Sequence, residues 1–364
     1  MVGSLKGFFS QSQAGSATAS WAGENVNPAR MHAKKPSGSR RITKKPRALI
    51  LGISGQDGAY LAKFLLEKNY EVHGSSRDHE TASFAHLESW GLLRHIRLHS
   101  VSLADFRSVL TTLQRVNPVE LYNLAGPSSV GLSFQNPVDS FEGVAVGTLN
   151  ILECLRVLKH PARFYQAGTS ECFGETIRPA VESTPFRPRS PYAVAKAAAH
   201  YAVSLYREAY GLFACSGILF NHESPLRLER FVTQKIVAGA VRIYRGSGEK
   251  IRLGNLEVRR DWGWAPDYVG LMWKMLQAQR PRDFIAATGK SHSLREFVEA
   301  VFRELELDWR EHVLVDPLLF RPADILRSSG NPSAALRHLG WKASLGFRDM
   351  IKELVKARLS REEA

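Results

Sequence analysis

Cysteine is scarce in this chain. Three occur in 364 residues, Cys154, Cys172 and Cys215. No two share Cys-x-x-Cys spacing, so neither a disulfide framework nor a structural zinc is expected, and a reducing compartment suits the chain. Cys172, beside Glu171, reads as a small packing residue more readily than as a reactive thiol. Long apolar runs are also missing. None approaches the roughly 18–20 residues a membrane span needs, which excludes an integral membrane protein of helical type. There is no internal repeat and no apolar segment of the secretory-signal kind. Acidic residues are nearly absent from one end: residues 1–46 hold eight Lys and Arg against one acid, Glu24.

That imbalance accounts for half of the formal net charge of +14. The leader is rich in Ser, Gly and Ala, is aperiodic, and cannot bury a core, so it is expected to be disordered. Its Lys34-Lys35 and Arg40-Arg41-Ile42-Thr43-Lys44-Lys45 clusters could bind polyanions or serve as an address. The Arg- and Ser-rich, acid-poor composition also resembles an organelle transit peptide. An inert tail, or initiation near Met31, explains it equally well. With the excess charge concentrated there, a nucleic-acid partner is not expected for the remainder, and a cytoplasmic location is. The apolar fraction of 44% supplies core for one large domain or two intimately shared ones.

From Arg47 the pattern becomes ordered. Ala48-Leu49-Ile50-Leu51 reads as a buried strand and runs into Gly52-Ile53-Ser54-Gly55-Gln56-Asp57-Gly58, after which Tyr60, Leu61, Phe64 and Leu65 recur at helical spacing. Strand, glycine turn and helix make a nucleotide cradle: glycines let the backbone approach a pyrophosphate, and the helix start offers unpaired N–H groups. Asp57 reads as a cap of that helix. The second strand, from Glu71, ends in Ser75-Ser76-Arg77. Serines followed by an arginine favour the 2′-phosphate of NADP over NAD, with Asp78 as a contrary charge. Strands near 96–101, 120–124 and 164–167 then alternate with helices over 105–115 and 141–158. The class expected is α/β, a doubly wound, Rossmann-type, mainly parallel sheet with a smaller C-terminal α/β lobe. Gly52, Ala125, Thr169 and Asn221 would emerge at strand carboxyl ends.

Chemistry is concentrated between Thr169 and Lys196. Tyr192 and Lys196 fall on one side of a helix, where an ammonium beside a phenol would favour the phenolate and bring it into acid–base range. The Thr169 hydroxyl could hold a substrate oxygen. Glu171 adds a base able to take a proton from carbon. Beyond a strand over 213–220 come Asn221-His222-Glu223-Ser224-Pro225, a short helix from Phe231, and Arg259-Arg260-Asp261-Trp262-Gly263. The last pairs basic groups with an aromatic, as a phosphate-bearing ligand with a flat base requires. A salt bridge from Arg260 to Asp261 or Asp267 is the plainer alternative. Helices are expected near 331–339 and 346–359.

These strings together resemble the GDP-mannose 4,6-dehydratases of the extended short-chain dehydrogenase/reductase superfamily, from about Arg47 onward. Asn221-His222-Glu223-Ser224-Pro225 and Arg260-Asp261-Trp262-Gly263 carry the likeness most specifically. The resemblance implies that GDP-mannose loses water to become GDP-4-dehydro-6-deoxymannose by internal hydride transfer, the first step toward deoxysugars of the GDP-fucose and GDP-rhamnose type. It implies catalytic roles for Thr169, Glu171, Tyr192 and Lys196. Cofactor contacts fall on Gly52, Gly55, Gln56, Asp57, Gly58, Arg77, Leu124, Lys196, His222 and Arg227, and sugar or GDP contacts on Asn221, Arg260 and Arg321. A homodimer or homotetramer is implied as well. Residues 47–225 would form the dinucleotide-binding domain and 226–364 a mainly substrate-binding lobe, whose return to the sheet is left open.

The chain departs from the family pattern at several places. One arginine, Arg77, stands where two are usual, and Asp78-His79-Glu80-Thr81 replaces the Arg-Ser-Ser loop. Ser102-Leu103 replaces an Asp-Leu pair, Pro127 a glutamine, and Arg321-Pro322-Ala323-Asp324 an Arg-Pro-x-Glu motif. Two other readings compete. One is a nucleotide-sugar reductase or 4-epimerase needing Tyr192 and Lys196 alone. The other is an inactive NADP-sensing module with a nucleic-acid-binding leader. The intact set with Glu171 favours dehydration over both.

Overall fold

The computed structural model describes residues 44–320 and 323–361. The leader, apart from Lys44, Lys45 and Pro46, lies outside the described residues, and so does Arg321. β1 (Arg47–Leu51), β2 (Glu71–Ser76), β3 (Ile96–Ser100), β4 (Glu120–Asn123), β5 (Arg163–Ala167) and β6 (Ala214–Leu219) join a strand at Phe284–Ala286 in one seven-stranded sheet. Every ladder in it is parallel. From one edge the order is Phe284–Ala286, β6, β5, β4, β1, β2, β3. The chain winds outward from β1 to β3 and then returns to the other flank of β1 with β4. The winding therefore reverses between β1 and β4, and a crevice opens at the carboxyl ends of such a pair.

Strands covered on both faces read as continuous apolar runs, and Ala48 to Leu51 are buried accordingly. Several buried polar residues break the rule, among them Asn123 and Gln166 in neighbouring strands. The pairing explains these two: Asn123 Nδ2 donates to Gln166 Oε1 (2.8 Å), and Gln166 Nε2 donates to the Ala167 carbonyl (3.2 Å).

The helix expected over 141–158 is three pieces: Pro137–Phe141, a π-helical turn at Glu142–Val146, and Gly147–Val157. The widened turn lies where Gly147 meets the Leu103 loop, with room for no Cβ (2.8 Å to Leu103 Cβ). The Thr148 hydroxyl donates to Val144 O inside it (2.7 Å). Periodicity alone could not show this, because one inserted residue leaves the apolar spacing almost unchanged.

After residue 225 the chain builds a second core, in which Ile236, Trp262, Phe297, Phe302, Ile351 and Leu354 pack together. It also returns to the sheet. The helix Ala265–Gln277 lays Tyr268 and Met272 against the same cluster as Leu61 and Leu65 of α1 (Gln56–Glu67), and the edge strand Phe284–Ala286 follows. Asp283 clamps this edge. Its carboxylate takes both Nη atoms of Arg207 (2.9 and 2.8 Å) and the Ser216 amide (2.6 Å). Both side chains are mostly buried. Arg207→Ala would leave that carboxylate without its counter-charge, a loss of about 3 kcal/mol. We expect a thermal midpoint several degrees lower; an unchanged midpoint would refute the clamp.

Candidate active site

The glycine turn and the start of α1 meet at the crevice. Gly52 takes a left-handed φ of 84°, and a Cβ there would stand 2.8 Å from Ala125 Cα. A Cβ on Gly58 would lie 2.5 Å from the Gly52 carbonyl. Packing within the protein thus demands these two glycines. Gly55 is different: it is exposed, and its Cβ would meet only Gly52 O at 3.5 Å. The open face of the loop lies there, beside the N–H groups of the helix start. Leu124 flanks the crevice, its amide bonded to Leu51 O (3.0 Å).

Asp57 does not cap α1, contrary to the expectation. The N-cap is Gly55, without a side-chain bond, and Asp57 reaches across to another element instead. Its Oδ2 lies 2.8 Å from His222 Nε2, and its Oδ1 accepts from Gln56 Nε2 (3.0 Å). The Ser224 hydroxyl donates to Gln56 Oε1 (2.7 Å). Arg227 donates to His222 O (3.1 Å), pairs with the buried Glu223 (3.1 Å) and stacks on Phe231. The turn after β6 is in this way latched to the glycine loop.

The helix Pro191–Tyr210 begins as its sequence requires. Ser190 caps it by accepting from Ala193 N (3.1 Å), and Pro191 takes the first position, where no amide is needed. Lys196 is buried and donates to the Ala167 carbonyl at the end of β5 (2.8 Å). That bond brings Tyr192, also buried, against the Thr169 segment. Thr169 caps the short turn Ser170–Phe173, its hydroxyl accepting from Glu171 N (3.3 Å). Glu171 itself is only half-buried.

Electrostatics depart from expectation at one point. Lys196 does not depress the Tyr192 phenol; its ammonium is 5.8 Å from the ring centroid and engaged by Ala167. Burial instead pushes Tyr192 up, the Thr169 hydroxyl pulls it down, and the nearby Glu171 charge pushes it up again. Burial brings Lys196 down to about 8. The Cys172 thiol, buried with its hydrogen toward Ala193 O, is pushed up to about 12 by burial, consistent with a packing residue.

The two most distinctive strings zip together. Asn221–Glu223 pairs in parallel with Trp262–Trp264, Asn221 opposite Trp262 and His222 opposite Gly263. Arg260 is buried, and its partners are neither Asp261 nor Asp267. It donates to Ile325 O (2.7 Å) and Arg259 O (3.0 Å) and approaches Asp324 (3.5 Å). Asp261 is turned to Thr288 and Gly289 (2.7–2.9 Å), and burial raises its carboxyl to about 6. Arg77 is exposed and makes no ion pair among the described residues.

A model of the GDP-mannose 4,6 dehydratase family matches residues 49–354. The chain belongs to that family. It is 46% identical over 323 residues to GDP-mannose 4,6 dehydratase 1 of Arabidopsis thaliana, covering 85% of this chain and 90% of that one. It is 42% identical to the GDP-mannose 4,6-dehydratase of Vibrio cholerae serotype O1, covering 88% and 95%. Among solved structures, UDP-glucose 4-epimerase of Thermus thermophilus in complex with NAD superposes with a TM-score of 0.76 at 26% identity, covering 86% and 98%. The dTDP-glucose 4,6-dehydratase of Streptomyces venezuelae shares the fold at 0.77 and 22%, covering 87% and 97%.

Membership makes the chain a hydro-lyase with a nicotinamide cofactor and a nucleotide-sugar substrate. The residues present suit that cofactor. Besides the open face at Gly55, the Ser76 hydroxyl at the carboxyl end of β2 is buried with no hydrogen-bond partner. Among the described residues no cluster of His, Cys, Asp and Glu could hold a metal ion, and no helix is long and apolar enough to cross a membrane. Sequence reasoning gave Ser224 no role: it stands inside a quoted string, but only folding shows that it holds Gln56.

Lys196 generates a prediction whose sign follows from its lowered pKa. Unfolding takes up a proton between pH 8 or so and the ordinary lysine range of about 10.4, so the folded state gains as pH rises through that window. Lys196→Met lacks this gain. The difference in thermal midpoint between the unmodified chain and the variant should move in the former's favour from neutral to alkaline pH. A flat difference would refute the burial of a titrating ammonium.

Proposed function

We propose that the chain converts GDP-mannose to GDP-4-dehydro-6-deoxymannose, with Thr169, Glu171, Tyr192 and Lys196 performing the proton chemistry. The observation that carries this reading is the placement of Glu171: on a turn fixed by its Thr169 cap, half-buried, and close enough for its charge to act on Tyr192. Reduction and epimerisation at C4 need no carbon base; elimination of water does. The Gly52–Gly58 loop with Ser76 would hold the cofactor, which when bound would accept a hydride from C4 and give it back within the same turnover. Tyr192 takes the proton of the sugar 4-hydroxyl while Thr169 holds its oxygen. The 4-keto group then acidifies the C5 hydrogen, which Glu171 removes. Hydroxide leaves C6 as water on receiving a proton from Glu171 or Tyr192, after which C6 takes the hydride removed from C4 and C5 recovers a proton.

NADP is the form favoured. Asp78, the contrary charge in the sequence, is tied into its own turn by the Glu80 amide (3.0 Å) and the Thr81 hydroxyl (2.9 Å), and among the described residues it forms no ion pair with Arg77. Gln56, Asp57, Leu124, His222 and Arg227 complete the cofactor side, while Asn221, Arg260 and Arg321 address the nucleotide sugar. Residues 226–364 serve mainly as the substrate lobe. A homodimer or homotetramer is supported by exposed apolar side chains on neighbouring helices, Phe141 and Leu149 with Val194, Tyr201 and Leu205. The three buried free cysteines support a cytoplasmic location.

Purified protein given GDP-mannose and no added coenzyme should yield a keto product lighter by one water. Glu171→Gln should keep binding substrate yet lose that product by orders of magnitude, since an amide takes no proton from carbon; near-normal turnover would sink the assignment. Arg77→Ala should weaken NADP about tenfold or more relative to NAD, the scale of a charge-assisted bond to phosphate. Equal weakening of both would contradict 2′-phosphate recognition.

A further inference from the structure

The proton chemistry makes no use of one half-buried ion pair. Asp57 is the second residue of α1, at the end of the helix that carries partial positive charge and beside the loop face open at Gly55. A carboxylate there competes for the same field as a pyrophosphate. It stands opposite His222, Oδ2 to Nε2 at 2.8 Å, while His222 Nδ1 faces the Phe220 carbonyl at 2.8 Å. A carbonyl and an ionised carboxylate only accept, so both ring nitrogens must carry hydrogen and the ring is an imidazolium.

We propose that His222 is the counter-charge that lets a carboxylate stand in the phosphate cradle, making His222 and Asp57 positioning residues for retention of the dinucleotide. This rests on the reading that the glycine loop holds a nicotinamide dinucleotide. The pair also has a purpose beyond neutrality. It ties the start of α1 to the 221–223 strand, which is itself zipped to Trp262–Trp264, so the cradle and the second lobe share one fixed joint. Ser224 to Gln56 is a second, uncharged rung of that joint.

The groups around the ring agree with a charged His222. Asp57 faces it from α1 and Arg227 from its own turn, while Tyr268 of the helix 265–277 stacks on it at 4.7 Å. Arg227 is answered by Glu223, which Thr233 also bonds (2.6 Å). Burial pulls the imidazole pKa down, but the charge and hydrogen bond of Asp57 outweigh it, and the net direction is up. Burial pushes Asp57 up, but His222 outweighs it, and the net direction is down. The charged form of the pair is therefore favoured by both partners. It is lost on the alkaline side, where His222 gives up its proton and Asp57 is left unanswered.

The test is NADP affinity by calorimetry on protein stripped of cofactor, with thermal unfolding of the same stripped samples as a check of folding. His222→Gln should weaken NADP about tenfold or more, the scale of one uncompensated charge a few ångströms away. Adding Asp57→Asn to that variant should restore most of the affinity. The unmodified chain should bind progressively less tightly as pH rises past the histidine range, and Asp57→Asn should flatten that decline. A double variant as weak as His222→Gln, or a single variant as tight as the unmodified chain, overturns the proposal. Should His222→Gln fail to fold, the pH profiles decide: a decline in the affinity of the unmodified chain that Asp57→Asn flattens supports the proposal, and an equally steep decline in both overturns it. An unmodified chain that binds no dinucleotide would sink the reading of the loop itself, an outcome distinct from either.

Discussion

One hydrogen bond joins the two segments that carry the candidate site residues, that from the Lys196 ammonium to the Ala167 carbonyl. It joins a helix to the carboxyl end of a strand, and the two segments it joins carry Tyr192 on one side and Thr169 with Glu171 on the other. The carbonyl is itself braced, since Gln166 donates to it and Asn123 bonds Gln166. Buried polar groups in adjacent strands thus serve to aim a backbone oxygen. An ammonium taken out of water tolerates that position because a fixed acceptor meets it.

The same burial sets the proton inventory. It raises the Tyr192 phenol and lowers Lys196 toward neutrality. The half-buried Glu171 is the carboxylate of the set. Acid, cation and carboxylate lie within one turn of chain and one turn of helix, the combination that eliminating water from a sugar calls for and a simple carbonyl reduction does not. Across the crevice, the contact of His222 with Asp57 couples the glycine loop to the second lobe.

Much of the fold was legible from residue order. The strands at 47–51, 71–76, 96–100, 120–123, 163–167 and 214–219 fall where short apolar runs between helical patterns put them, because a strand covered on both faces must be apolar throughout. The edge strand at 284–286 and the helices at 265–277 and 294–304 were not anticipated. Three residues give too short a run to distinguish, and the helices carry aromatic and charged residues whose partners come from distant segments. The π-helical turn at 142–146 was hidden for a different reason, its periodicity being nearly that of an unbroken helix.

By itself the sequence determined the order of strand and helix, the glycine turn, the Ser190 cap and Pro191 start of the catalytic helix, and the presence of Thr169, Glu171, Tyr192 and Lys196. The cap and the helix start rest on interactions among near neighbours in the chain. Tertiary structure alone decided that Asp57 answers His222 instead of capping its helix, and that Arg260 turns to Ile325 and Asp324. It also decided that the Tyr192 phenol is raised by burial and not lowered by Lys196. Charge partners and burial belong to groups brought together from far along the chain, and a carboxylate or a phenol takes its behaviour from those neighbours.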